Sequence, residues 1–436
     1  MRRRWLVSVL ALCVAPVAMS LSSVAGDSAP GTSRYVVVLK SSAVASDVAS
    51  TATGLGATVD SLFGTVDTLV VSLPRLALGT LQHDPRVAYV TPDRPVQLLA
   101  GTTPATLPAV PTGVARIGAA PALNPDGTVA VTTSPARKAA VALLDTGIMN
   151  RPDLNVVGGH DCSSSSGDLS GSTADDNGHG THVAGIVAGR GIPGVIGVSP
   201  GTPLYAVRVF DADGSGSTSA VICGLNWVAK NAAADNIKVV NMSLGGQGSD
   251  DGNCGATDQD PLHTAVCRVT GAGVTVVAAA GNESGDLAGS APAAYGEVLA
   301  VTAMADFDGK PGGLVSTSPC SGRQKDDTAA TFSDYAVPGS ADANHTIAAP
   351  GVCITSTWND GGTKTISGTS MASPHVAGLV ARCIDAGPCT GMTPARIIAR
   401  LRADAAARPA DQGFLGDTSH PIAGKYYGNL AHDTGY

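Results

Sequence analysis

Five apolar, largely β-branched runs constrain the fold of this chain more than any other feature. They are KAAVALLD, LYAVRVF, IKVVNMSL, GVTVVAAAG and VLAVTAM, and Ala/Gly-rich stretches of helical period separate them. A strand with one face in water alternates apolar and polar residues; these runs do not, so both faces must be covered. The intervening segments GTHVAGIVAG, SAVICGLNWVAKNA and LHTAVCRVTGAG read as helices, as do SMASPHVAGLVARCID and TPARIIARLRADAAA beyond the last run. Strand and helix in alternation predict an α/β fold, a mostly parallel sheet with helices on both faces. Such sheets gather their chemistry outside the carboxyl ends of the strands. Charged residues make up only 14% and aromatics 4%, with 54 glycines, so neither a nucleic-acid groove nor a coiled coil fits. The net charge of -8 implies solubility and little more.

Ahead of that region the organisation changes. Residues 1–25, with Arg2 to Arg4 before an apolar run that ends in small residues at Ser23-Val24-Ala25, read as a secretory signal cut near Ala25. Pro16 and the serines after Met19 argue against an uncleaved anchor, and no later run is long and apolar enough to span a bilayer. Residues 34–99 run strand, helix, strand, strand, helix, strand, which predicts a small ferredoxin-like α+β domain. The Thr/Pro/Ala-rich residues 100–112 are linker chemistry, and the large domain follows over 113–436. The Ser/Asp-rich stretches 161–177, 248–260 and 316–346 read as surface loops.

An exported chain with Cys162, Cys223, Cys254, Cys267, Cys320, Cys353, Cys383 and Cys389 points to disulfides. Short loops favour Cys254–Cys267 and Cys383–Cys389, with Cys320–Cys353 next and Cys162–Cys223 by elimination; sequence alone leaves the connectivity open. No Cys or His spacing suits a zinc site.

Three side chains attract chemical attention. Asp145 follows VALL at a strand end, where a turn or cap Asp is the plain alternative. His179 sits in DDNGHGTHVAG; alone it reads as a buried histidine or, with His182, half of a metal site, although no H-E-x-x-H pattern is present. Ser370, in SGTSMASPHVAG, reads as a helix cap with Pro374 in the first turn, or as a nucleophile at the positive end of a helix with its own N–H free for an oxyanion. The set decides. A serine hydroxyl needs a base near neutral pH, an imidazole supplies one, and a buried carboxylate fixes the tautomer. Asn282, past another strand end in VVAAAGNES, would add an amide donor.

The blocks VALLDTGI, NGHGTHVAG, VVNMSLGG, AAAGNES and GTSMASPHVAG, in that order over residues 113–407, resemble the signatures of the subtilisin-like serine proteases. The resemblance implies Asp145 as orienter, His179 as base and then acid, Ser370 as nucleophile, and Asn282 with the Ser370 N–H as oxyanion hole. His182, Ser373 and His375 are then structural. It implies two edges for an extended peptide, Ser243-Leu244-Gly245 and Gly214-Ser215-Gly216, with Ala279-Ala280-Gly281 as a small, uncharged wall of the primary pocket. Broad, apolar- or aromatic-leaning cleavage is the expectation. The small domain resembles the inhibitor-type propeptides of that family, with self-cleavage expected within Leu98 to Ala105.

The reading is thus a secreted, monomeric serine endopeptidase acting through an acyl-enzyme, made as a zymogen and inhibited by its own propeptide, with protein and peptide substrates and no nucleic-acid or membrane partner. Catalysis needs no cofactor. Structural calcium fits such enzymes, and Asp211, Asp213 or Asp250-Asp251-Gly252 offer oxygens, but no ligand is assigned. The rival is a catalytically silent relative that binds peptides in the same cleft. A lipase is disfavoured because Gly368-Thr369-Ser370-Met371-Ala372 lacks the final glycine of G-x-S-x-G, and a dinucleotide enzyme because no G-x-G-x-x-G turn follows the first large-domain strand.

Overall fold

The computed structural model describes residues 31–99, 101–103, 110–120, 139–163, 172–191, 194–320 and 323–436. The expected signal, and the parts of the linker and of the loop after Asp161 outside those ranges, lie beyond the described residues.

The N-terminal unit comprises β1 (Thr32–Leu39), α1 (Ala45–Gly54), β2 (Thr58–Phe63), β3 (Thr68–Pro74), α2 (Leu78–Gln82) and β4 (Val87–Pro92). Its sheet is antiparallel in the order β2-β3-β1-β4, the ferredoxin-like arrangement that its sequence predicts. Alternate residues Tyr35, Val37 and Leu39 of β1 pack with Val48 and Ala52 of α1 and Leu81 of α2, so one face forms its own small core. Two short strands follow, β5 (Pro95–Leu98) and β6 (Gly101–Thr103).

The large unit opens with α3 (Thr112–Arg116) and continues through β7 (Ala140–Asp145), β8 (Val156–Asp161), α4 (His179–Ala188), β9 (Leu204–Arg208), β10 (Ser215–Ser217) and α5 (Thr218–Asn231). Then come β11 (Ile237–Met242), β12 (Leu244–Gln247), α6 (Pro261–Gly271), β13 (Thr275–Ala279), β14 (Ser290–Ala291) and β15 (Val298–Ala305). β16 (Thr328–Ala329), β17 (Thr346–Val352), β18 (Ile354–Thr357), β19 (Thr363–Ser367), α7 (Thr369–Ala386) and α8 (Pro394–Ala406) complete it.

The five apolar runs are β7, β9, β11, β13 and β15, all parallel, in a sheet ordered β16-β15-β13-β11-β7-β9-β8 with β17 also on β15. Period-two alternation explains why both faces are apolar. Val141, Leu143, Val239, Val277 and Leu299 face α4 and α7, while Ala142, Leu144, Val240, Val276 and Val298 face α5 and α6. Two findings correct the reading of residues 316–346 as surface loop. β16 and the start of β17 extend the sheet there, and Asp326, Asp327, Ser333 and Asp334 are buried.

The structure contains all four expected disulfides, Cys162–Cys223, Cys254–Cys267, Cys320–Cys353 and Cys383–Cys389. Cys162–Cys223 ties the end of β8 to α5 across 61 residues. Replacing both cysteines with alanine in a Ser370→Ala background is expected to cost about 4 kcal/mol by the loop-closure entropy of a chain that long. The urea midpoint, compared with the unsubstituted background, measures it.

Candidate active site

Asp145 ends β7, His179 begins α4, and Ser370 lies in the first turn of α7, so all three stand at the carboxyl end of the sheet, with α4 packed on α7. Asp145 and His179 are almost wholly buried, and the carboxylate Oδ1 lies 2.7 Å from His179 Nδ1. Oδ1 also accepts the Thr146 N–H at 2.8 Å, which fixes the carboxylate plane. With Nδ1 held by the acid, Nε2 is left buried and without a hydrogen-bond partner among the described residues. That is the tautomer and the lone pair a general base requires.

His179 is aimed by the turn before it. Asp175 is a buried carboxylate that accepts the N–H groups of Asn177, Gly178 and Thr181 and the hydroxyls of Thr146 and Thr181, all between 2.6 and 3.0 Å. It thereby caps α4 and ties it to the residue after Asp145. Gly178 has φ +111°, and a Cβ there would sit 2.3 Å from the Trp358 ring; a Cβ on Gly180 would meet the Gly147 carbonyl at 2.1 Å. Only glycine lets the histidine approach the strand end this closely. Asp175 escaped the sequence reading because a carboxylate in a DD-N-G turn looks solvated.

Ser370 is not the helix cap. Gly368 occupies that position, and Ser370 is the second residue of α7, where its N–H has no partner within the helix. Pro374 lies inside the helix rather than in its first turn. Lacking an N–H, it leaves the Ser370 carbonyl, four residues back, without its helical donor. Ser243 Oγ fills the gap at 2.8 Å, Asn241 Nδ2 donates to Ser243 Oγ at 2.9 Å, and Ser373 Oγ donates to Asn241 Oδ1 at 2.7 Å. The Ser370 hydroxyl itself donates to the Ser243 carbonyl at 2.9 Å. The proline thus locks the serine turn onto the end of β11.

Asn282 is also oriented. Its Oδ1 accepts the Thr369 N–H at 3.0 Å and the Thr369 hydroxyl at 2.9 Å, so its amide NH2 is the end left for another acceptor. His182, held by the Ile354 and Lys364 carbonyls, and His375, beside the Met371 carbonyl, are fully enclosed; burial pushes their pKa values down to about 3 and about 4. Both are neutral packing groups.

The expected peptide edges face each other across an occupied groove. β5 lies between β10 and β12, antiparallel to both: Gln97 is opposite Ser215 and Gly245, Val96 opposite Gly216, and Leu98 opposite Leu244. A cavity lined by Leu98, Asn177, Gly214, Trp358 and Lys364 joins that groove to His179. Leu99 is buried against Gly245. Beyond it β6 pairs with β19, Gly101 opposite Ser367.

The wall Ala279-Ala280-Gly281 is buried, but its surroundings are not free of charge. Asp334 Oδ2 stands where a Gly281 Cβ would come within 2.0 Å, and its Oδ1 accepts the Glu283 and Gly285 N–H groups. No acid is legible here from the local sequence because Asp334 arrives from a segment far along the chain. Asp211 accepts the Asp213 and Ser215 N–H groups, and Asp250 those of Gly252 and Gly296, so both work as turn acceptors.

The family model for the subtilase family matches residues 136–420. The chain belongs to the subtilase family. This subtilase, a serine endopeptidase by class, is 40% identical over 293 residues to proteinase T of Parengyodontium album, covering 66% of this chain and 84% of that one. It is 36% identical over 338 residues to the extracellular serine proteinase of a Thermus species, covering 76% and 69%. Identity to subtilisin amylosacchariticus of Bacillus subtilis is 34% over 418 residues, covering 93% and 94%. A crystal structure of a cold-adapted subtilisin-like serine proteinase superposes with a TM-score of 0.53 at 28% identity, covering 76% of this subtilase and 100% of that chain.

Burial, and next the neighbouring Glu283 carboxylate, push the Asp334 carboxyl up to about 6. An acid whose folded pKa exceeds its unfolded value is held protonated by the fold, so its contribution is full below about pH 4 and lost as pH rises towards 6. The urea midpoint of the Ser370→Ala chain is expected to fall over that window, and Asp334→Asn to flatten the fall.

Proposed function

We propose that this subtilase is a secreted endopeptidase in which Asp145, His179 and Ser370 act as a catalytic triad, and that residues 34–99 are its folding unit and inhibitor. The observation that carries the reading is the 2.7 Å Asp145–His179 pair, which leaves Nε2 buried and without a hydrogen bond among the described residues, at the start of a helix that packs on α7. The mechanism requires the Ser370 hydroxyl to leave the Ser243 carbonyl and donate to Nε2. His179 then takes the proton as Oγ attacks the substrate carbonyl, Asp145 stabilises the imidazolium, and the Ser370 N–H and Asn282 amide receive the oxyanion. His179 returns the proton to the leaving amine, and a water deprotonated by the same nitrogen releases the acid and restores the serine. None of these steps uses a cofactor, and the substrates are proteins and peptides that add as a strand between β10 and β12.

The chain's own β5 supplies the register. With Gln97 opposite Gly245, Leu98 beside His179 and Leu99 seated against Gly245, the residue whose carbonyl follows into the crevice is Leu99. Self-cleavage at Leu99–Ala100, within the expected Leu98 to Ala105, leaves Val96 to Leu99 as a bound product and implies a preference for leucine-sized apolar side chains before the cut. Inhibition is reinforced outside the groove. Asp93 accepts the Ser219 N–H at 2.9 Å and its hydroxyl at 2.6 Å, an acid at the N-terminus of α5. Tyr89 meets Thr264, and Arg268 pairs with Asp67.

Ser370→Ala is expected to fold, to keep the N-terminal unit attached and to lose hydrolysis of casein, whereas the parent yields a mature chain beginning at Ala100 by N-terminal sequencing. A normal mature terminus in Ser370→Ala would contradict self-processing. Fluorophosphonate labelling of the parent at Ser370 separates an enzyme from a silent peptide binder. Asp93→Ala in the isolated N-terminal unit, added in trans, should weaken inhibition about tenfold, the usual worth of a helix-capping acid.

A further inference from the structure

We propose that Asp306, Asp308 and Asp326 form a binding site for a hard divalent cation of the calcium class, remote from the acidic loops that the sequence suggests. Each residue offers a carboxylate oxygen, and the three oxygens lie within 4.8 Å of one another. Asp306 and Asp308 leave the end of β15, and Asp326 returns just before β16, so the cluster closes the base of the 306–327 loop.

Proximity of acids alone is not a site; the state of Asp306 makes it one. Its side chain is wholly buried, Oδ2 accepts the Gly309 N–H at 2.9 Å, and Oδ1 has no hydrogen bond among the described residues. The nearest cationic atom is Arg116 Nε at 3.4 Å. That guanidinium is already committed, donating to Asp327 Oδ1 at 2.9 and 2.7 Å and to the Gln412 and Gly413 carbonyls at 3.0 and 2.7 Å. A buried carboxylate oxygen without a donor is expensive and calls for a partner. Asp326 is buried too, and each of its oxygens accepts one N–H, from Phe307 and Val315, leaving a lone pair on each.

Charge points the same way. Four carboxylates, Asp306, Asp308, Asp326 and Asp327, converge with two guanidinium groups, Arg116 and Arg408. Lys310, Arg323 and Lys325 on the same loop are exposed. With all four carboxylates ionised the deficit is two positive charges, which one divalent ion supplies. The donors are all oxygen, with no imidazole or thiolate, which selects a calcium-like ion over zinc or copper. Bound there, the ion would pin the loop to the end of β15 and, through Asp327 and Arg116, to α3 and the Gln412 segment.

The test is calcium titration of the full chain carrying Ser370→Ala, stripped with EDTA, by isothermal calorimetry and thermal unfolding. One ion per chain is expected to be lost, or its affinity weakened at least tenfold, in Asp308→Asn and Asp326→Asn, with the calcium-dependent rise in Tm lost in parallel. Asp211→Asn and Asp250→Asn should leave both unchanged. Should Asp326→Asn fail to fold, the half-buried Asp308→Asn carries the test. Unchanged stoichiometry and affinity in Asp308→Asn, or no binding of calcium, magnesium or manganese at millimolar concentration, would overturn the proposal.

Discussion

The contact between Asp145 and His179 is the constraint on which the rest of the site depends. Its acid is the last residue of a fully buried strand and its imidazole the first of a fully buried helix, so neither can drift without disturbing the core. Asp175 and the glycines at 178 and 180 hold the helix start against the strand end, and the unpartnered Nε2 follows. An unpartnered nitrogen in a dry crevice is costly, and Asp145 Oδ2 beside it likewise has no hydrogen bond among the described residues, so the fold bears two unsatisfied atoms at this contact.

Ser370, the proposed nucleophile, is positioned by a defect in its own helix. Pro374 removes one helical hydrogen bond, and the freed Ser370 carbonyl becomes the acceptor that joins α7 to β11 and the start of β12 through Ser243, Asn241 and Ser373. In the proposed mechanism chemistry and substrate alignment therefore share one network, because Ser243 precedes the strand that pairs with Gln97 and Leu98. In the structure that strand belongs to the chain itself. Tethering raises its effective concentration in the groove, which the separate contacts at Asp93, Tyr89 and Asp67 then support.

Much of this was legible in the sequence, and for definite reasons. The five core strands carry an unbroken apolar signal because both faces are covered, and His179 and Ser370 stand in blocks whose small residues are forced by close packing. The N-terminal unit declared its order through alternation within short strands. β8 and β17 did not, since VVGGHD is glycine-broken and TIAAPGV begins in a polar segment. Asp175, Asp306 and Asp334 were hidden for a common reason. A carboxylate's burial depends on which distant elements close over it, Thr146 at Asp175, Arg116 at Asp306 and the Glu283–Gly285 turn at Asp334, and local composition holds no trace of that.

The central claim is that the carboxylate of Asp145 makes His179 a base for Ser370. The rate at which a fluorophosphonate labels Ser370 in the mature enzyme, compared between the parent and Asp145→Asn across pH 6 to 9, tests it most directly. A wrong imidazole tautomer is expected to slow labelling by about 10⁴ at neutral pH with the fold unchanged by circular dichroism. Labelling of the asparagine variant at the parent's rate would contradict the account.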